Sequence, residues 1–352
     1  MNNNQLRIEQ YDTVLYNSNL NPMGVPESVK KAIADYADSV IRYPDDYYPA
    51  LKSTIAQYAG CKETQLVLGS GSSDLLRTFI SLLSPKKAMI LVPSFSEYEK
   101  VLSMFGCEIV YYELDEANDY QFDIADFVGH LDSSIDLIIL GNPNNPTSQL
   151  ISRDDMETMA EVCKELDTFL LIDEMYIEFV EKYQEVTAVP MVEDYDNIAV
   201  LRSTSKFFAV PGLRLAYAIM SNQEYMSILN ITSAPNPISS ITAAVCTQML
   251  KDKKYIKESC SQIYTERNLI FSAMSTNKNV KLYKPTANFM LVQILKDGVT
   301  AGQIAEHCKL KGIMIRNCEN IRGLSDKFIR FCFMKPNQND LLVNTILELF
   351  KD

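Results

Sequence analysis

The chain has 352 residues, more than a single hydrophobic core usually serves, so we expect one large domain and a smaller second one. Its composition, 47% hydrophobic and 22% charged, is that of an ordinary globular protein, and no apolar run approaches the roughly 18 residues that a membrane span needs. The formal net charge of −12 argues against nucleic acid or an anionic membrane as a partner, because both are negatively charged.

The cysteines and the first residues indicate the compartment. Eight cysteines are scattered along the chain with no C-x-x-C pair, which is typical of reduced core residues rather than of a zinc site or a disulfide framework. The polar sequence Met1–Leu6 does not have the pattern of a signal peptide. We therefore expect a cytoplasmic protein without a metal site.

The N-terminal part is predicted to be an arm followed by helices. Residues 15–24 are rich in asparagine, proline and glycine, which favour turns. Helical patterns cover residues 26–37 and 50–58, with Tyr43 in the break between them. We expect residues 1–40 to form an arm and helix that pack on the small domain.

A glycine-rich loop connects a short strand to a helix. The apolar strand at 66–68 leads through glycines and serines into a helical pattern at 75–83. Backbone amides of Gly71, Ser72 and Ser73 at the helix start would form an anion site, because unpaired N–H groups and the helix dipole both favour phosphate. The alternative is a plain helix cap.

Further buried strands alternate with helices and predict a parallel sheet covered on both faces. These strands are 88–92, 108–112, 135–140, 169–172 and 198–201. Ligands of such sheets bind at the carboxyl ends of the strands. Five residues follow a predicted strand and are expected to meet at that edge: Gly71, Phe95, Asn145, Asp173 and Lys206.

Lys206 is predicted to be a buried amine. It lies among hydroxyl and aromatic side chains. Desolvation and a nearby cation lower the pKa of a lysine, and the free amine then forms a Schiff base with a carbonyl. Ser203, Ser205 and Arg214 supply two hydroxyls and a guanidinium, which suit a phosphate dianion. The alternative is a solvated lysine in a loop.

The sequence from residue 236 onward predicts an α+β domain. Its predicted elements are a long helix at 241–273, strands at 289–294 and 328–333, and helices at 301–310 and 338–349. Arg330 lies inside an apolar strand, where an unpaired guanidinium would be costly, so it needs an anionic partner. We therefore predict a large domain at 41–235 and a small domain at 236–352.

Together these groups would hold one cofactor, pyridoxal 5′-phosphate (PLP). Binding it requires a Schiff-base lysine, a phosphate site, an aromatic residue on the ring and a carboxylate at the ring nitrogen. Asp173 would keep that nitrogen protonated, which makes the ring an electron sink. An asparagine and a tyrosine would bind the phenolic oxygen.

Four motifs carry a resemblance to a known family. They are Asn142-Pro-Asn-Asn-Pro-Thr147, Asp173-Glu-Met-Tyr176, Ser203-Thr-Ser-Lys206 and Gly212-Leu-Arg214. In order and spacing the chain resembles the aminotransferase class I/II family of fold-type I PLP enzymes, over nearly its whole length. This implies an α/β fold like that of aspartate aminotransferase, with a mostly parallel seven-stranded sheet covered by helices and a smaller α+β C-terminal domain.

The resemblance also implies a role for each site residue. Lys206 would be the Schiff-base lysine and proton carrier, with Asp173 and Tyr176 as the other catalytic residues. The further cofactor contacts would be Gly71, Ser72, Ser73, Phe95, Asn145, Ser203, Ser205, Arg214 and, from the neighbouring subunit of a homodimer, Tyr43. The substrate contacts would be Asn19, Asn145, Arg316 and, on the α-carboxylate, Arg330.

Two residues depart from the family pattern. Ser148 stands where the family usually has glycine, and Met175 stands where it usually has alanine. Both flank reacting groups, so we expect them to affect substrate fit more than cofactor binding.

Within the family the chain is similar to histidinol-phosphate aminotransferase and to threonine-phosphate decarboxylase. Segments 93–98, 206–215 and 316–323 are more similar to the decarboxylase, but the catalytic set is shared, and most chains with this set transaminate. We therefore expect amino transfer from a small amino acid or amine to a 2-oxo acid. The alternative is decarboxylation of O-phosphothreonine or O-phosphoserine.

Two questions stay open from the sequence. A PLP-binding regulatory module is a more distant alternative, but the acidic chain does not have the basic surface of a DNA-binding protein. The sequence also does not say whether the substrate carries a phosphate. Arg316, Arg322 and Arg153 are the basic residues that we consider for a second phosphate.

Overall fold

The computed structural model describes residues 13–45, 47–232 and 236–351, so the boundary predicted after residue 235 lies at an undescribed segment. The strands are Val14–Leu15 (β1), Leu66–Gly69 (β2), Lys87–Val92 (β3), Glu108–Glu113 (β4), Leu137–Gly141 (β5), Phe169–Asp173 (β6), Ile198–Ser203 (β7), Ala216–Ile219 (β8), Val280–Leu282 (β9), Phe289–Ile294 (β10), Ile313–Met314 (β11), Arg316–Asn317 (β12) and Phe328–Cys332 (β13). The α-helices are Glu27–Asp35 (α1), Pro49–Ala59 (α2), Ser72–Leu83 (α3), Glu97–Met104 (α4), Ile124–Val128 (α5), Arg153–Glu165 (α6), Gln223–Thr232 (α7), Ser240–Met249 (α8), Lys253–Ser275 (α9), Ala301–Leu310 (α10) and Pro336–Glu348 (α11). Among the described residues, none of these helices is long and apolar enough to cross a membrane.

A seven-stranded sheet forms the centre of the large domain, in the order β2-β8-β7-β6-β5-β3-β4. All neighbouring strands are parallel except β8, which is antiparallel to both β2 and β7. The predicted α/β class with a mostly parallel sheet is confirmed.

The continuous apolar strands follow from burial of both sheet faces. In β5, Ile138 and Leu140 belong to one hydrophobic core, while Leu137 and Ile139 belong to the core on the other face. Successive side chains of a strand point to opposite faces, so a strand covered on both sides must be apolar at every position. Polar residues can then begin only where the strand ends.

The small domain contains an antiparallel sheet in the order β12-β13-β10-β9. The N-terminal arm joins this side of the molecule, because β1 pairs in parallel with β11. Helix α1 packs against α8. The described part of the arm therefore contacts β11 and α8, which both follow residue 236.

Two predicted elements differ from the structure. The helix expected at 241–273 consists of two helices, α8 and α9. Asp252 between them is the N-cap of α9, because its side chain accepts the backbone N–H of Tyr255. Strand β8 was not predicted, although the turn signal Pro211-Gly212 precedes it. In the structure it pairs with β2 and β7.

Candidate active site

A cavity of about 280 Å³ lies at the carboxyl ends of the parallel strands. It is lined by Asn17, Ser18, Ser72, Ser73, Phe95, Tyr98, Pro143, Asn145, Asp173, Met175, Tyr176, Ser205, Lys206, Pro211, Arg214 and Arg330. The structure therefore brings most of the predicted site residues together. The predicted residues outside this lining are Gly71, Ser203, Asn19, Arg316 and Tyr43.

One end of the cavity is formed by the start of α3 and by Arg214. The helix begins at Ser72 after Gly71, whose φ of 97° is in the region that favours glycine. A Cβ on Gly71 would lie 2.1 Å from an Nη atom of Arg214, so glycine allows the guanidinium to approach the helix. With the hydroxyls of Ser73 and Ser205 beside it, this end has the donors that suit a phosphate.

Ser203, predicted as a phosphate ligand, lies behind the cavity wall. Its Oγ lies 3.1 Å from the carbonyl oxygen of Leu215 and 3.0 Å from Oγ of Ser205. It also accepts the backbone N–H of Ser205 at 3.2 Å. Because Ser203 ends β7, a buried strand, its side chain orients Ser205 rather than lining the cavity.

Asp173 ends β6 and presents a buried carboxylate to the cavity. One oxygen accepts the Oη hydrogen of Tyr98 at 2.7 Å, and the other accepts the backbone N–H of Met175 at 3.0 Å. Burial raises the pKa of Asp173 to about 6. A buried carboxylate with neutral donors only is one that a cationic ligand would stabilise.

Tyr98 is one of the cavity residues that the sequence did not reveal. It packs edge-on to Phe95, with ring centroids 5.6 Å apart and an interplanar angle of 89°. The available signal was spacing, since Tyr98 follows Phe95 by three residues at the start of α4 and both side chains can face the same strand ends. The partner, Asp173, is distant in sequence.

Tyr176 lies between the arm and the small domain. Its Oη accepts Nδ2–H of Asn19 at 3.3 Å. Its ring packs on Phe289 of β10, with centroids 4.8 Å apart. Burial raises the pKa of Tyr176 above its usual value, so the phenol stays protonated. Asn19 therefore contacts the site through Tyr176 and does not itself line the cavity.

The amine of Lys206 lies at the cavity wall and donates to the carbonyl oxygen of Ser18 at 2.7 Å. Burial, together with the positive charges of Arg330 and Arg214, lowers the pKa of Lys206 to about 8. The amine of Lys206 is thus partly buried, with its proton held by a backbone carbonyl from the arm.

We expect the amine of Lys206 to titrate with a midpoint near pH 8 in the cofactor-free protein, because burial and Arg330 disfavour the protonated form. Arg330→Gln should raise this midpoint, since it removes a nearby positive charge. The measurement is the pH dependence of trinitrobenzenesulfonate labelling at Lys206, read by peptide mapping. Arg322→Gln, on the surface, is the matched control. An unchanged midpoint in Arg330→Gln would contradict the electrostatic coupling.

Arg330 lies within β13 and reaches the cavity. Its Nη atoms donate to Oδ1 of Asn145 and, at 2.8 Å, to the carbonyl oxygen of Asn17. Its Nε is buried and has no hydrogen-bond partner among the described residues. The guanidinium carbon lies 5.5 Å from the ring centroid of Phe289. In the described part of the chain its acceptors are neutral, so its charge is available to an anionic ligand.

The other candidate arginines differ in position. Arg316 is opposite Arg330 in the pairing of β12 with β13, although it does not line the cavity. Arg322 donates to Glu99 at 3.0 Å on the surface. Arg153 donates to backbone carbonyls elsewhere in the large domain. Of the three, Arg316 alone is adjacent to Arg330.

The chain is similar to a known protein family and to several named proteins. The family model described as aminotransferase class I and II matches residues 11–346. The chain is 32% identical over 335 residues to a protein of Caldanaerobacter subterraneus subsp. tengcongensis named "Putative threonine-phosphate decarboxylase", covering 95% of this chain and 90% of that one. It is 30% identical to the threonine-phosphate decarboxylase of Salmonella typhimurium, covering 93% and 88%. The crystal structure of the histidinol-phosphate aminotransferase from Clostridium acetobutylicum superposes with a TM-score of 0.89 at 29% identity, covering 96% and 98%.

The chain belongs to the aminotransferase class I and II family. It is a PLP-dependent enzyme, either an aminotransferase or a related decarboxylase, with the fold of aspartate aminotransferase. The cavity suits this cofactor, because the donors around Arg214 fit a phosphate and the buried carboxylate of Asp173 fits a protonated ring nitrogen. When bound, PLP supplies an aldehyde that reacts with amines and a ring that accepts electrons from a bond broken at Cα.

Proposed function

We propose that the enzyme acts on a small α-amino acid whose carboxylate is bound by Arg330. The observation that supports this is a guanidinium at the cavity with neutral acceptors and an unpartnered Nε among the described residues. A guanidinium fork binds a carboxylate through two hydrogen bonds. Its position beside Lys206 would put the amino group of the same substrate near the reacting amine.

For the cofactor we propose contacts at each part of the molecule. Asp173 would pair with the ring nitrogen, Asn145 and Tyr176 would bind the phenolic oxygen, and Phe95 would stack on the ring. The phosphate contacts would be Gly71, Ser72, Ser73, Ser205 and Arg214. Ser203 would act through Ser205, which it orients.

Lys206 would carry the proton in the reaction. With a pKa lowered to about 8, its amine can hold and release a proton near neutral pH. In decarboxylation it would donate a proton at Cα after carbon dioxide has left, and in amino transfer it would remove a proton from Cα. The same residue serves both reactions, so the outcome depends on which bond at Cα is held perpendicular to the cofactor ring.

As the reaction we propose decarboxylation of a phosphorylated α-amino acid of the O-phosphothreonine or O-phosphoserine type. Two relatives, at 32% and 30% identity over nearly the whole chain, are named threonine-phosphate decarboxylase. From the catalytic residues alone we expected amino transfer first and decarboxylation as the alternative, so the proposal exchanges their order. Amino transfer is the second candidate, favoured by the similarity to the histidinol-phosphate aminotransferase structure.

The test is a substrate panel scored for both products. The enzyme with PLP would be incubated with O-phosphothreonine, O-phosphoserine and histidinol phosphate, with and without a 2-oxo acid. We expect carbon dioxide from a phosphorylated amino acid without any 2-oxo acid. Amino transfer that requires a 2-oxo acid, without carbon dioxide, would contradict decarboxylation and support the second candidate.

For the phosphate of this substrate we propose Arg316. Residues directly opposite in an antiparallel pair have Cβ atoms about 4.5–5.5 Å apart, so the side chains of Arg316 and Arg330 leave the two strands side by side. Arg316 donates to the neutral amide of Asn320 at 2.7 Å. A substrate with two anionic groups would use both arginines.

Arg330→Lys is expected to raise the KM for an α-amino acid about 10- to 100-fold, because an ammonium cannot reproduce the two hydrogen bonds to a carboxylate, each worth about 1.5–3 kcal/mol to a charged group. The cofactor absorbance should change little. Steady-state kinetics with the amino acid and its methyl ester provide the measurement, with Arg322→Lys as control. If the wild-type enzyme binds the amino acid and its methyl ester equally well, Arg330 does not bind the carboxylate.

We propose a homodimer in which Tyr43 reaches the cofactor phosphate of the neighbouring subunit. Four large hydrophobic residues lie together in sequence and are strongly exposed, namely Val40, Ile41, Tyr43 and Tyr47, at 64%, 80%, 87% and 80%. Exposed apolar patches of this kind commonly mark protein interfaces. Tyr43 does not line the cavity of its own chain, which fits a role across the interface.

Subunit complementation tests this arrangement. Lys206→Ala and Tyr43→Ala would be mixed after unfolding and refolding together. If Tyr43 acts across the interface, the mixed dimer contains one fully wild-type site and activity returns. If Tyr43 acts within its own chain, every site in the mixture stays defective and no activity returns. Size-exclusion chromatography with light scattering gives the oligomeric state.

We also propose a cytoplasmic location. All eight cysteines are free, and six of them are buried. Free thiols of this kind persist in reducing compartments.

A further inference from the structure

Ser148 occupies the position where this family usually has glycine. Its φ of 61° lies in the left-handed region, and its side chain is fully buried. An L residue in this conformation is strained relative to glycine, so the serine must be held by its surroundings. The backbone N–H of Ser148 donates to the carbonyl oxygen of Asn144 at 2.7 Å, within the loop that carries Asn145.

The hydroxyl of Ser148 connects this loop of the large domain to the small domain. Its Oγ accepts the backbone N–H of Thr286 at 3.0 Å and that of Ala287 at 2.9 Å. The carbonyl oxygen of Ser148 accepts the N–H of Thr286 as well, at 3.2 Å. Thr286 thus has two acceptors on Ser148, whereas Ala287 has the hydroxyl alone. A buried N–H needs a partner, and a glycine at 148 would leave the one on Ala287 without it.

The segment that Ser148 holds leads directly into the substrate side of the site. Asn288, the next residue, donates to the carbonyl oxygen of Asn19 in the arm at 3.0 Å. Phe289 then begins β10, packs on Tyr176 and lies under the guanidinium of Arg330. Strand β10 pairs with β13, where Leu291 is opposite Arg330. One residue, Asn288, therefore separates the hydroxyl contact at Ala287 from the ring of Phe289 beneath the guanidinium of Arg330.

We propose that Ser148 is a positioning residue that docks the small domain on the loop carrying Asn145 and so holds Arg330 at the cavity. This rests on the proposed function of Arg330 as the carboxylate ligand. The large-domain phosphate contacts do not pass through Ser148, so loss of its hydroxyl should weaken substrate binding more than it weakens cofactor binding. Compared with glycine, serine adds two hydrogen bonds between the loop of the large domain and the small domain.

The test compares Ser148→Ala and Ser148→Gly, which both lose the hydroxyl but differ in strain, because glycine accepts the positive φ. Ser152→Ala is the matched control. It removes a hydroxyl that accepts the N–H of Asp155 at the start of α6, without a contact to the small domain.

Hydrogen exchange of the cofactor-free proteins measures the docking directly. In both variants of Ser148 the amide of Ala287 should exchange at least about tenfold faster, as expected for loss of a buried hydrogen bond. The amide of Thr286, which keeps the carbonyl of Ser148, should change less.

Kinetics of the loaded enzyme then test the positioning. We expect the KM for the amino acid to rise about tenfold in both variants of Ser148, with kcat and cofactor affinity within about twofold of wild type, while glycine recovers thermal stability relative to alanine. Unchanged exchange at Ala287, or an unchanged KM in both variants, overturns the proposal. So does an equal KM increase in Ser152→Ala, because that effect would follow from stability alone. A wild type that binds ester and acid equally would overturn the role of Arg330, and the exchange result would still decide the docking.

Discussion

Lys206→Ala is expected to lower turnover by about 10⁴-fold, the upper end of what one positioned proton carrier contributes. The variant should still bind PLP, because the start of α3, Ser205 and Arg214 provide charge-assisted hydrogen bonds of about 1.5–3 kcal/mol each. Turnover and PLP binding should be affected separately because they depend on different parts of the cavity. The amine contacts Ser18 at one side of it, and the phosphate donors lie at its end. Binding and chemistry should therefore respond independently.

Two measurements check this expectation. Turnover and cofactor absorbance after dialysis show whether binding survives when activity is lost. In wild type, borohydride should fix the cofactor on Lys206, as found by peptide mapping. Lys278→Ala is the control, since this lysine is exposed and distant in sequence from the site. Label at any other lysine, or turnover within about tenfold of wild type, only about 1.4 kcal/mol of barrier, would overturn the assignment.

Asp173→Asn is expected to lower turnover by several orders of magnitude while the cofactor stays bound. Asparagine keeps the shape and can still accept from Tyr98 or Met175, but it loses the charge that would hold a ring nitrogen in its protonated form. The readout is turnover together with the absorbance of the bound cofactor. Survival of activity within about tenfold, equivalent to about 1.4 kcal/mol, would show that the carboxylate does not serve this role.

The same variant makes a prediction for the cofactor-free protein. The pKa of Asp173 is raised by burial from 3.8 to about 6, so the folded state binds the proton more tightly than the unfolded state. Its contribution to stability is therefore complete below pH 3.8 and is lost as the pH rises through about 6. Wild type should lose stability relative to Asp173→Asn across this window. Thermal unfolding of both proteins below pH 3.8 and above pH 6 measures the difference, and a difference independent of pH would contradict it.

The sequence by itself determined the order of the elements and the chemistry at the strand ends. Apolar runs such as β5 and β6 predict strands buried on both faces, and polar residues can follow only at their ends, which placed Asn145 and Asp173. Lys206 and Arg214 were found in the same way, together with the family motifs around them. These are local signals, since strand, turn and helix preferences extend over a few residues.

The tertiary structure decided which side chains meet. Tyr98 and Asp173 are 75 residues apart, and only the order of β3, β5 and β6 in the sheet brings the phenol to the carboxylate. Ser203, predicted in the cavity wall, lies behind it because the pairing of β7 with β8 places Leu215 beside its hydroxyl. The partners of Arg330 could not be predicted from the sequence either. The sequence indicated that Arg330 needs an anion, but its neutral acceptors, Asn145 and Asn17, are 185 and 313 residues away. Contacts between distant residues depend on how sheets and domains pack, and no local pattern encodes that packing.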